Sequence, residues 1–172
     1  VIKVCACGIC GTDLHWSEIN NEVSGFRDTH PGAVMGHEFS GEIVEIGKDV
    51  TNNWKIGERV CAMPQIGCAK CSNCRAGRPH RCDKALNRAT PGNPGAYSEF
   101  VRIGAQDTFR LPDSVTFQEG ALVEPLAVGL HAVKRAKITA GDNVLIVGGG
   151  PVGLSVAVWC KFFGARHIIA VS

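Results

Sequence analysis

The sequence predicts a mixed α and β protein in two parts: a cysteine-bearing metal-binding domain, then the opening strand–helix–strand unit of a doubly wound α/β domain. Two stretches carry that prediction. "GCAKCSNCRAGRPHRC", residues 67–82, packs four cysteines into a short loop-like segment. "NVLIVGGGPVGLSVAVWCKFFGARHIIAV", residues 143–171, runs from a short apolar strand through a glycine turn and an apolar helix into a second strand. At 172 residues, with 45% hydrophobic and 20% charged residues, the chain has the composition of a soluble globular protein long enough for one core and part of another. Its net charge of +2 comes from scattered residues, which argues against a nucleic-acid or membrane-surface partner. No apolar run reaches membrane-spanning length, and the opening "VIKVCACGIC" lacks a charged segment followed by a cleavable apolar core. A cytoplasmic location is expected. With no initial Met and a strand-like opening, the chain is expected to be a piece of a longer one.

The N-terminal strand leads into "CGICGTDLH", residues 7–15, and a second polar cluster follows in "MGHEFSGEIVEIG", residues 35–47. Each is a weak signal alone. A single Cys in a strand is more often a small buried hydrophobe, and a His-Glu pair is more often a surface feature. Cys7 and Cys10 have the spacing of a redox pair, but no thioredoxin-like βαβ pattern surrounds them.

The four-cysteine segment is more specific. Nine cysteines is an odd number, and in a reducing compartment clustered thiols are metal ligands more often than bridges. Cys68, Cys71 and Cys74 recur at every third residue, and Cys82 follows. Two-residue gaps let successive thiolates converge, and the fourth closes a tetrahedron around a structural zinc with no position left for substrate. An iron–sulfur cluster is the main rival. In the bacterial ferredoxin pattern, however, the fourth Cys comes sooner and precedes Pro, whereas Asp83 follows here. Disulfides or free thiols are the remaining reading.

"TFQEGALVEPLAVGLHAVKRA" begins with Thr116 and Glu119 at capping-box spacing and continues as a helix pattern expected to be interrupted at Pro125. It carries Glu124 among apolar residues, where a carboxylate is costly unless paired or bound to metal. The strand expected at Asn143–Val147 is followed by Gly148, Gly150 and Gly153 in G-x-G-x-x-G spacing. A helix is expected over Leu154–Phe163, closed by Gly164, with a second strand over His167–Val171. Placed between strand and helix, the glycine pattern meets the structural condition for a dinucleotide turn, in which the helix N-terminus attracts a pyrophosphate.

Taken in order, CGICGTDLH, GHEFSGEI, the four-cysteine lobe and GGGPVG resemble the zinc-dependent medium-chain alcohol dehydrogenases along essentially the whole chain. The resemblance implies a GroES-like β-barrel catalytic domain over residues 1–124, with a structural-zinc lobe at 67–83. The start of an incomplete Rossmann domain would occupy residues 125–172. It implies that Cys10 and His37 bind a catalytic zinc, with Glu38 and Glu124 both candidates for the third protein ligand. Asp13 then holds the ligating His in position. Thr12 and His15 match a proton relay, and Gly148, Gly150, Pro151, Val152 and Gly153 match the NAD or NADP turn. Zinc would polarise the alcohol oxygen, the relay would take its proton, and hydride would pass to the nicotinamide.

The segment around Glu124, together with a complete cysteine lobe, is similar to the polyol, sorbitol, butanediol and threonine dehydrogenase branch. A small-molecule alcohol is the expected partner, and the parent enzyme is expected to be a homo-oligomer. The family's chains extend beyond this one at both ends, so the 172 residues alone are expected to be inactive, and the choice between NAD and NADP is left open. Two other readings stand beside it. One is a non-catalytic zinc-bearing GroES-like module. The other is a zinc-free quinone-reductase relative, which would lack Cys10, His37 and the lobe cysteines.

Overall fold

The computed structural model describes residues 1–17, 32–87 and 93–172, which form two compact units, Val1–Leu122 and Val123–Ser172. In chain order the first unit contains β1 (Ile2–Cys7), α1 (Gly11–Ser17), β2 (Phe39–Ile43), β3 (Arg59–Ala62), α2 (Ser72–Arg75), β4 (Phe100–Val101), β5 (Thr108–Arg110) and α3 (Phe117–Ala121). The second contains α4 (Val123–Ala136), β6 (Asn143–Val147), α5 (Pro151–Phe162) and β7 (His167–Val171).

Short β-rich segments with apolar residues on one face build an antiparallel sheet ordered β4-β1-β2-β3-β5. Register follows burial: Ile2 lies opposite both Ile43 and Val101, and Gly41 lies opposite Val60. The inward residues Ile2, Phe39, Ile43, Val60, Ala62 and Val101 form the core, with Trp54 and Ile103 packed against it. Burying the Ile, Phe and Val side chains among them contributes about 1.5–3 kcal/mol each. One pairing shapes the polar end of this sheet. Cys7, the last residue of β1, pairs with Phe39, the first of β2. The residues just after β1 and just before β2 are therefore brought to the same end of the sheet.

The capping box expected at Thr116 and Glu119 is present. Thr116 Oγ1 accepts from Glu119 N at 3.2 Å, and Thr116 N donates to Glu119 Oε2 at 2.8 Å. The Arg59 guanidinium of β3 lies 4.6 Å from the centre of the Phe117 ring, which ties α3 to the sheet. The helical run does not break at Pro125 as expected. It breaks at Leu122, and Pro125 sits in the first turn of α4, where its missing N–H deprives the helix of no bond.

In the second unit, β6 and β7 occupy the ranges expected from sequence and pair in parallel, Asn143 with His167 through Val147 with Val171. Helix α5 starts earlier than the apolar pattern suggested, at Pro151, with Gly150 as its N-cap. Proline at the first helical position is pre-set for φ and gives up an N–H that has no partner there. Gly164, at φ +82°, closes the helix. Helices α4 and α5 are joined through Ser155 Oγ, which donates to Pro125 O at 2.9 Å, and Trp159 Nε1, which donates to Leu126 O at 2.7 Å. Among the described residues no helix is long and apolar enough to cross a membrane.

Candidate metal centres and dinucleotide turn

The sheet end shared by β1 and β2 gathers Cys10, His37 and Glu38, whose ligand atoms all lie within 4.8 Å of one another. Cys10 precedes α1, and His37 and Glu38 immediately precede β2. Glu38 is buried, and Gly8 N donates to its carbonyl at 2.7 Å. Gly8 has to be glycine for the carboxylate to sit where it does, because a Cβ there would lie 2.3 Å from Glu38 Oε2. A buried carboxylate beside a thiol and an imidazole is a donor set that suits a divalent cation with nitrogen, sulfur and oxygen preferences. Glu38, one of the two carboxylates considered for the third position, is in this cluster; Glu124 belongs to the first turn of α4.

Asp13, in α1, is 2% exposed and faces this cluster. Its Oδ1 lies 3.4 Å from His37 Nδ1 and accepts from Gly36 N at 3.4 Å. Its Oδ2 accepts from Cys10 N at 3.0 Å and from the Tyr97 hydroxyl at 2.8 Å. Tyr97 had no signal of its own in the sequence. It lies 84 positions from Asp13, in a segment, GAYSEF, with no metal-ligand spacing. Cys7 lies outside the ligand cluster. Burial first, then the Asp13 and Glu38 carboxylates, pushes its thiol up to about 11.

Thr12 and His15 follow Cys10 on α1, Thr12 half-buried and His15 exposed. His15 Nδ1 lies 2.7 Å from the Gly11 carbonyl, which can only accept, so Nδ1 carries the proton and Nε2 is the basic nitrogen.

The four lobe cysteines form a second cluster, again with all sulfurs within 4.8 Å of one another. Cys68 Sγ and Cys74 Sγ are 4.0 Å apart. Zinc–sulfur bonds of ~2.3 Å arranged as a tetrahedron put sulfurs about 3.8 Å apart, so the spacing fits the ion. Backbone amides point at the sulfurs: Cys68 N at Cys82 Sγ, Cys71 N at Cys68 Sγ and Cys74 N at Cys71 Sγ, each at 3.4 Å. The amides of Lys70 and Cys71 hold the Cys68 thiol down to about 6, while burial and the neighbouring Cys71 thiol push Cys74 up to about 12. Such a split is what crowded thiols show, since they cannot all ionise until a cation balances them.

The glycine turn expected to receive a dinucleotide lies in the second unit. Gly148 adopts φ +111°, and a Cβ on Gly153 would fall 1.9 Å from the Gly148 carbonyl oxygen. These two glycines let β6 reverse tightly into α5. Pro151 and Val152 form the exposed first turn of α5, whose free backbone N–H groups form a positive end.

Comparison with known proteins places this architecture. The model of the alcohol dehydrogenase GroES-like domain matches residues 1–113. A protein of Aspergillus fumigatus named "Probable D-xylulose reductase A" is 42% identical over 171 residues, which is 99% of this chain and 47% of that protein. The crystal structure of 2R,3R-butanediol dehydrogenase from Bacillus subtilis superposes with a TM-score of 0.80 at 39% identity, covering 99% of this chain and 50% of that one. A Sinorhizobium meliloti zinc-binding dehydrogenase structure bound to NADP gives 0.83 at 35% identity, covering 99% and 48%. The chain belongs to the alcohol dehydrogenase GroES-like domain family. It spans about half the length of the relatives it matches.

Proposed function

We propose that this chain is the metal-bearing part of a zinc-dependent oxidoreductase that moves a hydride between a secondary alcohol, diol or polyol and NAD or NADP. The observation that carries the reading is the pairing of two different donor sets in one unit: a closed set of four cysteines, and a three-residue set of Cys10, His37 and Glu38. A four-coordinate ion is saturated by the first and keeps an open position in the second. Zinc held by the second set supplies a Lewis acid that makes an alcohol easier to deprotonate.

The chain's own residues do the rest. Asp13 holds the His37 ring by its Nδ1, leaving Nε2 to face the ion. Thr12, two positions after Cys10, offers a hydroxyl to accept and pass on the substrate proton. His15, with its Nε2 basic and its ring exposed, delivers that proton to water. Gly148, Gly150, Pro151, Val152 and Gly153 form the turn that receives the cofactor pyrophosphate. The names of the xylulose reductase and butanediol dehydrogenase relatives support a polyol or diol as substrate.

Elemental analysis of chelator-free protein tests the reading. About two zinc per chain are expected, in line with one ion per set. Cys71→Ser should remove one ion and lower soluble yield or melting temperature, because structural zinc contributes on the order of 10 kcal/mol to small domains. Cys10→Ser should remove the other ion and leave the lobe loaded. A single zinc that survives Cys10→Ser would leave a zinc-bearing module with no catalytic metal.

A further inference from the structure

We infer that Tyr97 is a positioning residue for the metal site, its hydroxyl fixing the Asp13 carboxylate so that the opposite oxygen stays against His37. The inference rests on the reading that Cys10, His37 and Glu38 hold a metal.

Asp13 is almost wholly buried, and a carboxylate in that position needs donors on both oxygens. Three of its four contacts come from the two ligand segments themselves: Cys10 N, Gly36 N and His37 Nδ1. The fourth, from the Tyr97 hydroxyl, is the shortest at 2.8 Å and comes from a distant part of the chain. The phenol has one proton and two acceptors in reach, Asp13 Oδ2 and the Gly8 carbonyl at 3.0 Å. A charge-assisted bond to the carboxylate is the stronger of the two. Burial, reinforced by Asp13, raises the Tyr97 phenol above its usual range, so it remains a donor at neutral pH.

The position of Tyr97 is itself set by the segment before His37. Gly95 N donates to Val34 O at 2.6 Å, Ala96 N to Gly36 O at 2.8 Å and Tyr97 N to Met35 O at 2.9 Å. The strap formed by residues 95–97 therefore travels with the His37 segment, and its hydroxyl reaches across to α1. Without that hydroxyl, Oδ2 keeps only the Cys10 amide among these donors. A terminal carboxylate torsion is broad and two-fold, and the contacts left on Oδ1, from Gly36 N and His37 Nδ1, are both long at 3.4 Å, so without the hydroxyl Oδ1 is held against His37 less firmly. The hydroxyl thus acts on the imidazole through the Asp13 carboxylate.

The test is a cobalt(II) titration of the chain. Ligand-field bands distinguish the mixed nitrogen–sulfur–oxygen site from the four-sulfur lobe. Tyr97→Phe keeps the ring and removes only the hydroxyl. It should weaken cobalt at the mixed site by about tenfold, the lower end of what outer-shell partners contribute, and leave cobalt binding in the lobe unchanged. In a cycle with Asp13→Asn, the double variant should bind cobalt as the Asp13→Asn single does, because both substitutions remove one linkage. If Asp13→Asn fails to fold, the Tyr97→Phe arm decides alone. Unaltered cobalt affinity in Tyr97→Phe overturns the inference, as do independent losses in the cycle or equal weakening of both sites. Should the unsubstituted chain bind cobalt only in the lobe, the metal-site reading fails and this inference with it. Tight mixed-site binding that ignores Tyr97→Phe sinks the inference alone.

Discussion

Replacing Gly8 with alanine tests the metal site at its tightest contact. The added Cβ would lie 2.3 Å from Glu38 Oε2 and 3.2 Å from Glu38 Cβ. To regain ordinary van der Waals separation the carboxylate oxygen must retreat by about 1 Å. Metal–ligand bonds tolerate departures of about 0.2 Å, so a retreat of that size would take Glu38 out of reach of the proposed ion. The fold should suffer far less. The clash is with the mobile end of a side chain, which places the overpacking cost near the bottom of the usual range, about 1 kcal/mol. The backbone at Gly8 is not in the left-handed region, so alanine also restricts the unfolded chain and returns about 0.4–1 kcal/mol.

The expected outcome of Gly8→Ala is a melting temperature within a few degrees of the parent and an intact lobe. Affinity at the mixed site should fall about tenfold or more. Calorimetry and cobalt titration read the two quantities separately. Unchanged mixed-site affinity would show that Glu38 does not hold the metal. A large loss of stability with lobe metal lost as well would show that Gly8 serves the fold instead.

Two more outcomes are expected from neighbouring contacts. With its thiol raised to about 11 by burial and the two neighbouring carboxylates, Cys7 has only about one thiolate in a thousand at pH 8. Iodoacetamide at pH 8 should label the exposed Cys5 well before Cys7, and Cys7 labelling should rise about tenfold per pH unit as the solution approaches its pKa. Mass spectrometry showing equal rates at pH 8 would contradict this. In the second unit, a Cβ at Gly129 would lie 2.1 Å from Ser155 Oγ and 2.8 Å from the Ser155 carbonyl carbon. Backbone cannot retreat as a side chain can, so Gly129→Ala should destabilise by about 1–3 kcal/mol despite the helix propensity of alanine. Urea unfolding that shows a gain in stability would mean that α4 and α5 are not packed as closely as this.

What was legible in the sequence was what depends on near neighbours along the chain. The spacing of Cys68, Cys71, Cys74 and Cys82 placed four sulfurs in one cluster because two-residue gaps need only a local curl of the backbone. Thr116 and Glu119 formed their capping box across three positions. Strands β6 and β7 fell on their expected residues because apolar runs bounded by glycine have only one way to end. Even so, local pattern misjudged two helix ends. The apolar rhythm of α5 does not register the proline-led first turn at Pro151, and a proline inside a helical run looks the same whether it breaks the helix or begins one, as Pro125 shows.

The tertiary structure decided the rest. No periodicity brings Glu38 beside Cys10 and His37, Tyr97 to Asp13 or Gly8 beneath the Glu38 carboxylate. The Glu38 contacts arise from one long-range registration, Cys7 of β1 against Phe39 of β2, and Tyr97 is brought in by a second, residues 95–97 against 34–36. The hydrophobic faces of the two strands select the first, because a slip by one residue would turn Ile2 and Ile43 out of the core.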